Sequence, residues 1–330
     1  GQLRVDVRAA GINFADIMQR RGHYQRGPEP PYVAGMEVAG VVDAVGEGAD
    51  GEVGDRVMGF ADGGAFAEYA LASAGGLLDA PEGMSFAEAA GVPVQFLTAH
   101  NCLFEWGGLE EGERVLVHAA AGGVGTAAVQ LASNAGSEVF GTASTQEKLD
   151  LAADLGCDHP VNYTETDFAE RVEDITDGEG LDLVLDGVGG ETSSRSLEAL
   201  REFGRIVCYG AASGRPGQLD TGELLFNNYT VYGYHLGRGM VKAPGRVLEA
   251  VGPLNEGFAG GDLEVVVGHE FALEDAAEAL QFIEDRNSSG KVVLKPSVRG
   301  VGGLGCPRPG RVSSSERARP ERTGPPLRCA

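Results

Sequence analysis

Lysine is nearly absent from this chain. Only Lys148, Lys242, Lys291 and Lys295 stand among 26 basic residues, against 49 acidic ones, giving a net charge of −23 over 330 residues. So acidic a surface repels phosphodiester backbones and anionic lipid, which argues against nucleic acid and membrane surfaces as partners. Self-repulsion of this size is screened in concentrated salt. The composition therefore points to a halophile's cytosol, with an ordinary acidic cytosolic protein as the plainer alternative. Paired cysteines are also missing. Cys102, Cys157, Cys208, Cys306 and Cys329 are scattered with no C-x-x-C spacing, which argues against a zinc knuckle or a disulfide framework. Cys157 and Cys208 lie in apolar runs and read as small core residues. No apolar run approaches the roughly 20 residues of a membrane helix. The nearest, "VLVHAAAGGVGTAAVQLA", is broken by Gly122, Gly123, Gly125 and Gln130. The chain does not open on a basic-then-apolar leader.

Both ends look unusual. "GQLRVDVRAAG" starts inside an alternating strand pattern with no initiator methionine, so the start of the first domain is expected to be missing, leaving a sheet edge open. From about Ser297 the composition changes. The tail has seven arginines, two glutamates and no lysine, a net of +5 against −28 for the rest. It reads as a disordered or out-of-frame extension, with a functional basic arm as the alternative.

Three regions lie between the ends. Residues 1 to about 92 carry short Val-containing runs and glycines ("RVDVRAAG", "VAGVVDAVG", "DRVMGF") and read as all-β with tight turns. From 93 to about 240, strand runs alternate with helical patterns. "RVLVHA", "SEVFGTA", "HPVNY", "LDLVLDGVG", "RIVCYG" and "TVYGYHL" are the strands, the first four each followed by a helix, as in βαβ units of a parallel sheet. The stretch from 241 to 296 offers a helix around Arg246 to Glu256, a strand at "LEVVVG", a helix at "LEDAAEALQFIED" and a last strand "KVVLKP".

The run from Val115 to Ala132 gains its meaning from this context: strand, glycine-rich turn, helix, second strand. Ala120-x-Gly122-x-x-Gly125 is a dinucleotide fingerprint with Ala at its first position. Its glycines let the backbone approach a pyrophosphate, and the helix start presents free N–H groups to the anion. A cofactor with a free ribose 2′-hydroxyl wants a carboxylate at the end of the second strand. That end reads "FGTASTQEK" and has none from Gly141 to Thr145. Ser144 and Lys148 suit a 2′-phosphate instead, which predicts NADPH over NADH.

These residues resemble the medium-chain dehydrogenase/reductase superfamily, in its zinc-independent, zeta-crystallin-like quinone oxidoreductase branch. "GERVLVHAAAGGVGTAAVQLAS" fits that branch's signature throughout. "AAGINFADIMQRRGHY", "GMEVAGVV", "GDRVMGF", "GTAS", "DGVGG" and "SGKVVLKP" follow in the expected order, from about Gly1 to Pro296. "GMEVAG", "HAAAGGVG", "HPVNY" and "YGYHLG" particularly resemble the subgroup of synaptic vesicle membrane protein homologues. The resemblance implies an α/β protein. A doubly wound Rossmann domain (93–240) is inserted in a barrel-like, GroES-like β catalytic domain (1–92 plus 241–296), with the tail 297–330 outside both.

Zinc-dependent relatives carry Cys and His ligands where this chain has Asn13 and Met36, and the cysteine-rich structural-zinc lobe is missing, so no metal is expected. The resemblance places Asn13, Thr98, Gly122, Gly123, Val124, Gly125, Ser144, Lys148, Tyr163, Tyr209, Tyr234, His235 and Leu236 at the cofactor. Asn13 and Tyr24 would serve the chemistry, Tyr24 as a pocket tyrosine able to donate to the acceptor oxygen. A second pocket tyrosine of some relatives is Met18 here. Asp16 reads as a backbone-fixing residue. Without a metal to polarise an alcohol, electrophilic acceptors fit better: quinones and α,β-unsaturated carbonyls, whose oxyanion needs only hydrogen bonds and solvent. The expectation is a cytoplasmic, homodimeric NADPH-dependent quinone or enone reductase. Alternatives are an enoyl-thioester reductase of the same superfamily, or a non-catalytic NADPH-binding interaction protein.

Overall fold

A computed structural model describes residues 1–25 and 27–297 of the chain. The expected basic tail lies outside the described residues. Two sheets organise the rest. The first is seven-stranded and mostly antiparallel: β1 (Gln2–Ile12), β2 (Glu37–Val45), β3 (Arg56–Phe60), β4 (Tyr69–Ser73) and β5 (Leu77–Asp79), completed from the far end of the sequence. The second is six-stranded and wholly parallel: β6 (Arg114–Val117), β7 (Glu138–Ala143), β8 (His159–Asn162), β9 (Leu181–Asp186), β10 (Leu200–Cys208) and β11 (Thr230–Gly233). β12 (Val267–Ala272) and β13 (Lys291–Lys295) then return to the first sheet, where β13 pairs with β1.

In space the second sheet runs β8-β7-β6-β9-β10-β11. This is the doubly wound order, which reverses direction between β6 and β9 and leaves a crevice at the strands' carboxyl ends. Every residue of β9, "LDLVLD", is buried, as a strand covered by helices on both faces requires. One apolar core joins the sheets, with Ala9, Ala39, Met58 and Val293 of the first packed into the same cluster as Val115, Val117 and Leu183 of the second.

The first region is not all-β. Helices at Phe14–Arg20 and Phe86–Ala89 interrupt it, each started by a local cap that overrides the surrounding strand pattern. Asp16 Oδ2 accepts from Asn13 N at 2.8 Å, and Glu88 Oε2 accepts from Ser85 N at 2.7 Å. The strand expected at "LEVVVG" begins only at Val267. Leu263 and Val265 point into the core instead. Glu264 bonds the side chain of Gln130 through both its N–H and its carbonyl, at 2.8 and 3.0 Å, in place of a ladder partner. The helix expected around Arg246 to Glu256 is two, Pro244–Leu248 and Val251–Gly260. Among the described residues no helix is long and apolar enough to cross a membrane.

Candidate active site

A cavity of about 610 Å³ opens at the crevice, lined from the first sheet by Ile12, Lys291 and Val292, with Asn13 just after β1, and from the second by the β6 turn and the ends of β7 and β9. This is an ordinary size for a small-molecule or cofactor site.

Its floor is the turn after β6. The backbone leaves the strand through Ala119, which holds a left-handed φ of 53°, a conformation that costs a non-glycine residue energy. The helix Gly123–Asn134 follows, with Gly122 at its cap. Close packing explains the last glycine: a Cβ on Gly125 would lie 2.1 Å from the Ala119 carbonyl oxygen. Gly122, Gly123 and Gly125 line the cavity at the first helical turn, whose N–H groups have no intrahelical partner. Two backbone bonds pin the turn, Ala120 N to Thr142 O at 3.0 Å and Gly290 N to Ala121 O at 2.8 Å.

His118 supports the turn from beneath. Ser196 Oγ donates to Thr192 O at 2.7 Å, so toward the ring it accepts from His118 Nε2 at 2.9 Å. That leaves Nδ1 to accept from the Thr142 hydroxyl at 3.0 Å, while Thr142 Oγ1 accepts from Ala119 N at 3.4 Å. The chain of bonds thus assigns the Nε2–H tautomer. Burial pushes the imidazole down to about 4, against the opposing pull of the Asp186 charge.

One end of the cavity is basic. Ser144, Lys148, Tyr163 and Arg286 line it, and Lys148 Nζ donates to the Arg286 carbonyl at 2.6 Å. Burial lowers the Lys148 ammonium below its ordinary value. β7 ends in Thr142 and Ala143, with no carboxylate. At the other end stands Asn13, bonded on both amide atoms: Oδ1 accepts from Lys291 Nζ at 3.0 Å and Nδ2 donates to Glu37 Oε1 at 2.7 Å. Asp16 lies just behind. Burial raises its carboxyl to about 7, against the Asn13 N–H and the Lys291 charge.

Of the residues expected at the cofactor, Asn13, Gly122, Gly123, Val124, Gly125, Ser144, Lys148, Tyr163 and Tyr209 line this one cavity; Thr98, Tyr234, His235 and Leu236 do not, nor does Tyr24. Thr98 is buried in the helix Gln95–His100. Tyr234 packs edge-on against Trp106 with centroids 4.9 Å apart, and Tyr24 rests against His235 at 5.5 Å. Sequence reasoning missed Glu37, Gln95, His118, Arg286 and Lys291. The available signal was a charged residue inside an apolar run, as in "GMEVAG" and "GKVVL".

Comparison with known proteins agrees with this geometry. Residues 1–82 match the family described as alcohol dehydrogenase GroES-like domain, and residues 123–251 match zinc-binding dehydrogenase. The chain is 36% identical over 312 residues to the synaptic vesicle membrane protein VAT-1 homolog of Danio rerio, covering 89% of this chain and 64% of that protein. It is also 36% identical over 297 residues to a quinone oxidoreductase-like protein 2 homolog of Nematostella vectensis, covering 89% of this chain and 81% of that one. The chain belongs to the medium-chain dehydrogenase/reductase superfamily. It falls in the quinone-oxidoreductase-like branch, near the VAT-1 homologues. Among solved structures, Escherichia coli quinone oxidoreductase complexed with NADPH superposes with a TM-score of 0.84 at 33% identity, over 89% of this chain and 91% of that one. The chain thus spans less than two thirds of the Danio rerio relative.

The zinc in one family's description does not suit these residues. Asn13 and Glu37 already bind the ammonium of Lys291, and Met36 offers a thioether. A second cation there would face the lysine's charge. Among the described residues no group of three or more His, Cys, Asp or Glu is placed to hold a metal.

Proposed function

We propose that this chain is a zinc-independent reductase that uses NADPH to reduce a quinone or an α,β-unsaturated carbonyl. The observation that carries the reading is the cavity's polarity. A strand-to-helix turn of alanines and glycines lies between a basic end, Lys148 with Arg286, and an amide end, Asn13. In so acidic a chain, two cations at one end of one cavity suit a phosphate beyond the pyrophosphate. The absence of a carboxylate after β7 removes the usual partner of a free 2′-hydroxyl.

NADPH, when bound, supplies the hydride. The chain's own residues orient, exclude water and stabilise charge. The helix Gly123–Asn134 and the turn hold the pyrophosphate. Ser144, Lys148, Tyr163 and Arg286 hold the 2′-phosphate. Asn13 spends one Nδ2 hydrogen on Glu37 and keeps the other for the acceptor oxygen, where a fixed donor stabilises developing negative charge. Solvent supplies the proton. Tyr209 stays protonated, since burial raises its phenol far above its ordinary value.

The chain acts as a homodimer in salt-rich cytoplasm. Among the described residues β11 is an edge strand with Val231 exposed on it, and Leu225, Phe226 and Val241 of the helices that precede and follow it in sequence are exposed too; a second copy is the natural cover for an edge with exposed apolar residues. The test is NADPH oxidation by purified protein in high salt, with 1,4-benzoquinone or 9,10-phenanthrenequinone and a chelator, alongside light scattering for mass. Chelator-resistant turnover with NADH much poorer is expected. Tight NADPH binding without turnover would favour a binding protein instead.

A further inference from the structure

Lys291 and Glu37 form an ion pair with side chains 1% and 0% exposed. A pair withdrawn this completely from water recovers its lost hydration only with good additional hydrogen bonds, and apolar residues of similar volume in its place are often neutral or stabilising. Stability therefore does not account for it. The chain also gives up side chains to make room. A Cβ on Gly11 would lie 2.5 Å from Glu37 Oε1 and 2.6 Å from Lys291 Cε, and one on Gly91 would lie 3.3 Å from Lys291 Cγ.

What the pair touches is specific. It gives the Asn13 oxygen a donor and the Asn13 nitrogen an acceptor, so the amide has a single orientation. Glu37 Oε2 also accepts from Val94 N at 2.8 Å. The remaining ammonium hydrogen reaches Gln95 Oε1 at 3.1 Å, in the orientation that lets Gln95 Nε2 donate to the Gly123 carbonyl at 2.9 Å. Lys291 thus spends all three hydrogens, on Glu37, Asn13 and Gln95, and keeps none for a substrate. We propose that the Glu37–Lys291 pair is a positioning device, which fixes the Asn13 amide with one N–H free for the acceptor oxygen and ties that amide through Gln95 to the phosphate turn. The role of the free N–H rests on the reading of the cavity given above.

The double variant Glu37→Leu/Lys291→Met removes both charges at similar volume. Its thermal midpoint should fall only modestly, by the cost of the Asn13, Gln95 and Val94 groups that lose a partner, and its NADPH Kd should stay within about threefold. Its kcat for benzoquinone should fall about 10²-fold, the usual cost of a lost oxyanion donor. Nitrogen-15 spectra, with the Asn13 side chain assigned through Asn13→Asp, should show two well-separated amide protons in the wild type that converge in the double variant. A kcat within twofold of wild type, or unchanged Asn13 resonances, would overturn the proposal. If the wild type reduces no quinone, the proposed function fails and the Asn13 resonances still decide the positioning. Should the double variant not fold, Glu37→Gln keeps one acceptor oxygen, enough for Asn13 and Lys291, and turns its amide nitrogen on the Val94 N–H, which disturbs the pair's geometry without deleting it. Lower kcat at constant Kd is expected of it, and retained kcat counts against the idea.

Discussion

The floor of the cavity and its amide end are built in opposite ways. The floor is local: strand β6, its turn and the following helix lie within Arg114–Asn134, and what it offers a ligand is backbone N–H groups. The amide end is assembled from Asn13, Glu37, Gln95 and Lys291, the first and last 278 positions apart, and side chains do the work. A local site tolerates no bulk and needs few outside partners, here the Thr142 carbonyl and the Gly290 N–H. A dispersed site depends on the whole fold to bring buried polar groups within bonding distance, and each must be satisfied for the others to be affordable.

The sharpest way to break the floor is Gly125→Ala. The new Cβ would press on the Ala119 carbonyl and on Ala120, also backbone, and neither can move without opening the turn. NADPH binding should weaken by at least about 10²-fold, roughly 2.7 kcal/mol, in a fluorescence titration. Near-normal affinity would mean that the turn is not where the cofactor's phosphates sit.

This contrast also explains what was legible. The glycine turn, the parallel sheet and the polar pair Ser144 and Lys148 follow from short-range pattern, so their elements and their place on one cavity emerged from the sequence. The helix at Phe14–Arg20 was hidden in a strand-rich stretch because an Asn-x-x-Asp cap decided it locally. "LEVVVG" looked like a strand because apolar alternation cannot tell a ladder from an extended segment bonded by a side chain, here that of Gln130. Lys291 and Glu37 were visible as charged residues in apolar runs, but nothing in the spacing says that they meet. Thr98, Tyr234, His235 and Leu236 were placed at the cofactor by resemblance alone, and the cavity lining does not include them.

Acid titration separates the floor from the amide end by sign. The fully buried His118 holds its folded-state proton affinity near 4, below the unfolded value of about 6.5. Between those pH values the unfolded chain binds the proton and the native one does not, so stability is lost as pH falls, by about 3 kcal/mol in all. Asp16 does the reverse. Its folded value is about 7 against about 3.9 unfolded, so its contribution is full below the unfolded value and is lost as pH rises toward 7, by about 4 kcal/mol. The two nearly cancel in the wild type. In urea unfolding from pH 4.5 to 6.5, Asp16→Asn should leave a curve that falls toward acid, and His118→Asn one that falls toward neutrality. Parallel curves for all three proteins would refute both assignments.

A smaller effect tests the basic end. Lys148→Ala removes one charge-assisted bond to a 2′-phosphate, worth about 1.5–3 kcal/mol. The preference for NADPH over NADH should drop about tenfold to a hundredfold, with affinity for NADH unchanged. Arg286→Ala should behave alike, since the Arg286 carbonyl takes the Lys148 bond and its side chain lines the same end. Equal losses for both cofactors would mean that these cations serve the fold or the pyrophosphate.

The smallest change is expected from Tyr24→Phe, the variant that decides whether the amide end includes a protein acid. General acid catalysis contributes about 10²–10⁴-fold where a side chain supplies the proton. Tyr24 is poorly placed for it. Its ring lies on His235 rather than on the cavity wall, and burial, helped by the nearby Asp16 charge, raises its phenol above the ordinary value. A weaker acid outside the lining has little to lose, so kcat should stay within about threefold. A loss of about 10²-fold would instead make Tyr24 the proton donor. The Asn13 amide would then stabilise an oxyanion that Tyr24 discharges, and the amide end would be a two-residue site rather than one held donor backed by solvent.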